Sequence, residues 1–383
     1  MKIAYILFHD FRFVKWSLKD FIKRKYHFSK GYLEIIRELG HEAVLYTLHQ
    51  EVASPVITNY FRIFPVEFRF PPLLEFGNEF SLRAINDVLS REFDVVHIHN
   101  YYLWSVPLLV LKYVKKESSP IMAQFHGDVD PFSNFKLKAF SNIYRMINLF
   151  LVSFEFERKK LNKLANIPQE RIRIFPNVGI DTSFFRPYKK SPEPVILYVG
   201  RFPRKERGPL QKKPTFVVKL FKIIKKLIPE VKLFMVGEGD GLSRVKKHIK
   251  RQRLEGSVRF FGYVPRDMLP KIYSWAWLTI IPAKFPELTY LWDGSLKESL
   301  ACMTPVLVFG DKVDWKYYGL MVPQNNMLKA AEEVVKAIKH LERLFDLKRA
   351  RQVIMKVCSW DLVGRALVKM YEDIKNRYDL GGE

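Results

Sequence analysis

Cysteine is nearly absent from the chain: Cys302 and Cys358 are the only two in 383 residues. That excludes a disulfide scaffold as the source of stability and suits a reducing compartment. Neither cysteine stands in a Cys/His cluster with ligand spacing, so no structural zinc and no other metal is expected. Long apolar runs are missing as well. The longest, such as VPLLVL and AWLTII, fall far short of the roughly 20 residues a membrane-spanning helix needs. No apolar stretch with a small-residue cleavage site follows the N-terminal lysine, so no signal peptide is expected. Acid is scarce: 40 Asp and Glu face 64 Lys and Arg, a net charge of +24. Such a field favours anionic partners. The cations are spread over many predicted helices without a recognition motif, and nucleic acid is not an expected partner.

What is present is alternation. Short apolar runs alternate with amphipathic segments along the whole chain, the pattern of parallel α/β architecture. In the first half IAYILF, AVLYTL, DVVHIH and PIMAQFHG read as strands, with GYLEIIRELGHE among the helices. A Pro- and Lys-containing hinge, RPYKKSPEP at 186–194, precedes a second series that begins with PVILYVG. The expected fold is two doubly wound, Rossmann-like domains facing a central cleft, spanning 1–187 and 188–358. A final helix, 359–383, packs back on the first domain. Ligands of such sheets bind outside the strand carboxyl ends. Residues 11–30 hold seven basic residues, six aromatics and one acid. Read as a helix, Val14, Leu18, Phe21 and Ile22 share a face beside Lys15, Lys19 and Lys23. This suits an anionic membrane surface, the alternative being a packed helix with a solvated edge.

Eight stretches in order carry a resemblance. They are IIRELGHEAVLYT, DVVHIHN, QFHGD, FPNVGIDTSFFRP, ILYVGR, FMVGEG, VRFFGYV and LKESLACMTPVLVF. Together they resemble the retaining glycosyltransferases of family 4, which have the GT-B fold and use a nucleotide-sugar co-substrate without a bound metal. The resemblance implies a phosphate-binding role for Arg201, after the strand ILYVG. A guanidinium can hold two phosphate oxygens at once. The family's partner lysine falls at Glu206 here. Lys205, Arg207 and, after an insertion, Lys212 are the alternatives, with Lys212 preferred. Gly294, Ser295 and Leu296 would present amides at a helix N-terminus, a ready anion site. Glu298 matches the second acid of a paired-glutamate motif and would accept from the donor ribose. Tyr290 stands where the first acid is expected, leaving Asp293 and Glu287 as candidates for the donor sugar. His126 matches a histidine near the donor sugar, with Asp128 orienting it or meeting the acceptor. Tyr263 and Val264 lie in the segment whose backbone reads the nucleobase. His97 and His99 share a strand face and read as structural.

The resulting expectation is a retaining hexosyltransferase moving sugar from a UDP- or GDP-linked donor to a glycan or lipid-linked acceptor, in the cytoplasm and peripheral to the inner face of the membrane. The loop after the first strand, HDFRFVKW, has no glycine before Gly31, which points to an unusual acceptor. Two alternatives remain: an inactive GT-B binder of nucleotide sugars at the membrane, and a GT-B nucleotide-sugar epimerase.

Overall fold

The computed structural model describes residues 1–9, 17–23, 28–69, 79–116, 119–126, 133–206 and 213–380. The chain divides into two compact units, 1–179 with 360–383, and 180–359. The crossing falls at 179/180, before the 187/188 boundary read from the sequence. The reason is local: residues 180–187 are tied into the second unit. Ile180 N donates to Cys358 O at 2.7 Å, and Arg351 donates to Phe185 O at 2.8 Å and Thr182 O at 3.1 Å.

The first unit is built on an eight-stranded sheet. Its order is Ile172–Ile174, Leu149–Val152, Ile121–Gln124, Val95–His99, Lys2–Leu7, Glu42–His49, Phe61–Pro65, Val56–Ile57. Every pairing is parallel except the last. The central strands are buried along their whole length, as in Val95–His99. They therefore read as continuous apolar runs rather than as alternation. The short strand pair Phe68–Arg69 with Glu79–Phe80, the strands Val56–Ile57 and Phe61–Pro65, and the helix Leu82–Leu89 had no sequence signal as clear as that of the core strands. The sheet reverses direction of winding between Lys2–Leu7 and Val95–His99, the place where doubly wound sheets take ligands.

The last helix, Trp360–Asp379, belongs to this unit. Its Val363, Leu367, Tyr371 and Ile374 join the core formed by Ile3, Tyr5, Tyr32 and Ile36. Glycine is required where it meets the helix Phe28–Glu38: a Cβ on Gly31 would lie 2.3 Å from the Trp360 ring. Within 11–30, residues 17–23 and 28–30 are described. Phe21, expected on a lipid-facing stripe, is instead fully buried. It packs edge-on to Phe61, and the buried Lys30 ammonium donates to Phe21 O at 2.5 Å. The described part of that segment thus contributes to the core, while Ile22 is 40% exposed.

The second unit has a seven-stranded sheet ordered Val258–Gly262, Lys232–Val236, Val195–Val199, Leu278–Lys284, Val306–Gly310, Gly319–Pro323, Asp314–Lys316. All pairings are parallel except the edge pair of the last two strands. The helix Pro214–Leu227 buries Val217, Val218, Leu220, Phe221 and Ile224 against it. Each such side chain contributes roughly 1.5–3 kcal/mol. After the sheet's last strand pair come two helices, Met327–Lys339 and Leu341–Leu344. The winding reverses between Val195–Val199 and Leu278–Lys284. Among the described residues no helix is long and apolar enough to cross a membrane.

Candidate functional site

At the carboxyl end of Val195–Val199, the backbone of Gly200–Pro203 is clasped by the turn after the neighbouring strand. Gly200 N donates to Val236 O at 3.0 Å and Phe202 N to Glu238 O at 2.9 Å. Gly237 has φ of +121°, and a Cβ there would lie 2.1 Å from Gly200 O. Only glycine permits this approach. Tyr198 completes the clasp by donating its hydroxyl to Arg201 O. The backbone of Arg201 is therefore fixed while its side chain is exposed.

Burial holds the Tyr198 hydroxyl well above its usual range. Glu206 and Asp293 add to that, and Arg201 opposes it. The Tyr198 hydroxyl thus lies in the field of all three groups. Glu206, where the family's lysine is expected, turns inward. It accepts from Thr215 N at 3.2 Å and Thr215 Oγ1 at 2.6 Å, at the start of the helix Pro214–Leu227. Arg244 pairs with it at 2.9 Å. An acid satisfied by a helix N-terminus and a guanidinium is a stable replacement, but it is not a phosphate ligand. Lys205 is exposed; Arg207 and Lys212 lie outside the described residues.

Two lysines that sequence reasoning passed over stand here. Burial lowers the Lys213 ammonium from its usual range; Glu206 counters that and Lys284 reinforces it. Lys284 ends the strand next to the reversal and pairs with Asp311 at 2.5 Å. The signal that could have found it is its position at a strand carboxyl end beside the switch point.

The helix Gly294–Ala301 is capped by Asp293, whose Oδ1 accepts from Leu296 N at 3.0 Å. Ser295 donates its hydroxyl to the same oxygen. Of the three amides expected to face an anion, Leu296 N is thus engaged by the cap. Asp293, a candidate for the donor sugar, serves here as the N-cap. Glu298 is half-buried, and Tyr273 donates to its Oε2 at 2.7 Å. The Tyr273 proton is retained, since burial and then Glu298 push that hydroxyl well above its usual range. Beside Glu298, Lys297 is fully buried and its ammonium is pushed down to about 8 by burial, against Cys358, Asp293 and Glu298. Glu287 is half-buried in the loop before this helix. Tyr290 packs edge-on to Tyr318 at 5.6 Å, while Tyr318 donates to Leu288 O at 3.0 Å. An aromatic hinge to the sheet edge occupies the place expected for an acid. Tyr263 is 61% exposed, and its backbone N–H points to Glu238 Oε1 at 3.3 Å. Val264 follows it, half-buried.

The carboxyl edge of the first unit is built from rings. His126 Nε2 lies 2.6 Å from His99 Nδ1, so one imidazole donates to the other. Tyr32 stands edge-on to His126, receives Gln124 Nε2 at 2.9 Å and donates to Asn177 O at 2.7 Å. His97 stacks on His99 at 4.3 Å and meets Tyr371 OH at 2.7 Å. Burial, with His126 adding to it, holds His97 well below the usual imidazole range, hence neutral. His97 ties the last helix to the sheet, and His99 positions His126. Asp128 lies outside the described residues. Among the described residues no three His, Cys, Asp or Glu side chains gather as a metal site.

Two doubly wound parallel sheets, one with a glycine-clasped arginine and a capped helix N-terminus at its reversal point, define a two-domain Rossmann-like α/β class. Residues 33–184 match the family model described as Glycosyltransferase Family 4, and residues 180–343 that of Glycosyl transferases group 1. The chain belongs to this glycosyltransferase family and has the GT-B fold. It is similar to the poly(glycerol-phosphate) alpha-glucosyltransferase of Bacillus subtilis, 26% identical over 60% of this chain and 34% of the relative. The chain spans about a third of that relative's length. Among solved structures, sucrose-phosphate synthase of Thermosynechococcus elongatus superposes with a TM-score of 0.71 at 16% identity, covering 97% of this chain and 98% of that one. Anabaena HepE in complex with UDP gives 0.68 at 14% identity over 97% and 100%. These likenesses show the fold.

Proposed function

We propose that the chain transfers a hexosyl group from a nucleotide-sugar donor to a glycan or lipid-linked acceptor, with retention of configuration. The observation that carries this is one of placement: Arg201 follows and Lys284 ends the two strands that flank the reversal point, Lys213 precedes the helix Pro214–Leu227, and Asp293 caps the helix after the second strand. A departing nucleoside diphosphate develops negative charge, and fixed donors aimed at that charge stabilise the transition state. Arg201 is exposed on a backbone that cannot shift, so it is pre-positioned. In this reading Glu298, which accepts from Tyr273 on Oε2, also accepts from the ribose hydroxyls. UDP is favoured over GDP as the leaving nucleotide because HepE is seen with UDP and UDP-glucose. The acceptor hydroxyl attacks from the side of the departing phosphate, whose oxygen takes the proton. His126, with Asp128, belongs to the sugar in this reading, and no metal takes part. A peripheral membrane contact through 11–30 on the cytoplasmic face belongs to the same proposal.

A second reading, a nucleotide-sugar binder without turnover, is favoured by one observation: Tyr290 replaces the first acid and is packed on Tyr318. Incubation with a panel of UDP- and GDP-sugars, with and without lipid extract, separates the two. Diphosphate release that disappears in Arg201→Ala and Glu298→Ala supports the transferase. Donor binding without release under every condition supports the binder, and absence of any donor binding would sink both.

A further inference from the structure

The helices Pro214–Leu227 and Leu242–Arg251 lie side by side on the second unit; Lys222 Nζ on one donates at 2.5 Å to Gln252 Oε1 at the end of the other. Together they carry nine Lys and Arg and no acid. Their apolar faces are spent on the core, through Val217, Leu220, Phe221, Val245 and Ile249, so the outward face is cationic. Such crowding opposes folding, because like charges three or four residues apart on a helix repel. Between the helices lies a hollow of about 490 Å³, lined by Thr215, Lys219, Ser243, Arg244, Lys247, His248 and Arg251. It runs from the helix starts at Thr215 and Ser243, beside the strand carboxyl ends, along the helices to Arg251. No carboxylate stands among its described lining residues, and Glu206, which is bonded to two of them, is held by Arg244 and Thr215.

His248 is the second observation. Its Nε2 is sealed from solvent and has no hydrogen-bond partner among the described residues. Burial, then Lys219 and Arg251, with Lys222 adding, keep the imidazole below its usual range; Glu206 opposes them. A donor-rich hollow with cations from two helices is complementary to a tetrahedral oxyanion. Lysine ammoniums and guanidiniums bind phosphate oxygens by charge-assisted hydrogen bonds, and Thr215 and Ser243 add hydroxyl donors.

We propose that this hollow, on the outer face of the two helices, is a binding site for a phosphate ester. The same chemistry is offered by an anionic lipid head group and by a soluble polyol phosphate. The exposed Lys226 and Lys250 on the same two helices extend the field beyond a single phosphate, as an anionic surface or chain requires. The site needs no donor nucleotide, so it stands or falls apart from the transferase reading.

The test uses the full chain and two probes. Glycerol 3-phosphate is titrated while the His248 imidazole resonances are followed by NMR, and flotation is measured with phosphatidylglycerol and with phosphatidylcholine vesicles. Each is repeated in Lys219→Glu/Lys247→Glu/Arg251→Glu, in the milder triple glutamine variant, and in Lys247→Arg. Bound phosphate should raise the His248 pKa, and both triple variants should abolish the shift. For vesicles, loss of three surface cations should weaken binding to phosphatidylglycerol by about a hundredfold, whereas Lys247→Arg should bind as wild type. The comparison with wild type isolates the hollow from any contact made by 11–30. A response to glycerol 3-phosphate alone identifies a soluble phosphate, and a response to phosphatidylglycerol alone identifies a lipid. If neither probe distinguishes wild type from folded triple variants, judged by unchanged melting, the proposal is overturned.

Discussion

The two sheets share a topology, yet they finish their carboxyl edges with different materials. In the first unit the edge is filled by side chains: Tyr5, Tyr32, His97, His99 and Tyr371 form a buried ring cluster. In the second unit it is finished by backbone, where Gly237 and Gly239 press against Gly200 and Phe202. Backbone amides and glycine turns leave room for a charged ligand. Packed aromatics instead fix one imidazole, His126, at the end of a hydrogen-bonded row. The difference teaches that one winding pattern can carry two kinds of edge, and the proposed diphosphate contact belongs to the cationic, glycine-built one.

The largest effect expected from breaking this contrast is at the glycine clasp. Gly237→Val puts a side chain at positive φ and 2.1 Å from Gly200 O. It should cost about 4 kcal/mol, read as a lowered denaturation midpoint with unchanged slope. Next is Lys297, whose charge is buried at the edge of the second unit. Its ammonium titrates near 8 in the folded chain, against about 10.4 unfolded. Between those values the unfolded state holds more protons, so wild-type stability rises with pH across that window. Below it the burial cost is fully present. Lys297→Met should therefore raise stability by about 1–3 kcal/mol at pH 7 and abolish that rise. A pH-independent loss of stability in the variant would contradict the account.

In the ring-built edge, Tyr371→Phe removes a hydroxyl set 2.9 Å from Tyr5 OH and 2.7 Å from His97 Nδ1. The expected cost is about 1–3 kcal/mol, because two buried groups lose a partner. His97, held neutral, should also make wild-type stability fall as pH drops below about 6.5, where the unfolded imidazole takes a proton first. Denaturant midpoints at pH 5 and 7 in His97→Gln, with that component missing, would check it. The smallest effect is expected for Arg244→Ala. Its half-exposed pair with Glu206 should contribute under about 1 kcal/mol.

The fold was legible where periodicity is strong. PVILYVG and DVVHIH are uninterrupted apolar runs because parallel strands are buried on both faces. The edge strands Val56–Ile57 and Asp314–Lys316 were not, since two- and three-residue strands carry no period. The resemblance put Arg201 after a strand and Glu298 near a helix start, and the structure has those elements there. Glu206 was visible as a departure, but its inward turn depends on Thr215 and Arg244, which meet it only in space. Lys284 and Lys213 escaped notice for the same reason, and Phe21 misled because an aromatic beside lysines has the same pattern on a core helix as on a membrane helix. The positioning role of His99 needed the neighbouring strand that brings His126 within 2.6 Å.

The central claim is that the second unit holds the donor nucleotide through Arg201 and Glu298. Isothermal titration of the full chain with UDP tests it most directly. The account predicts binding that weakens at least about tenfold in Arg201→Ala, the loss of one charge-assisted contact, and also weakens in Glu298→Ala. UDP binding that is unchanged in both variants would contradict it.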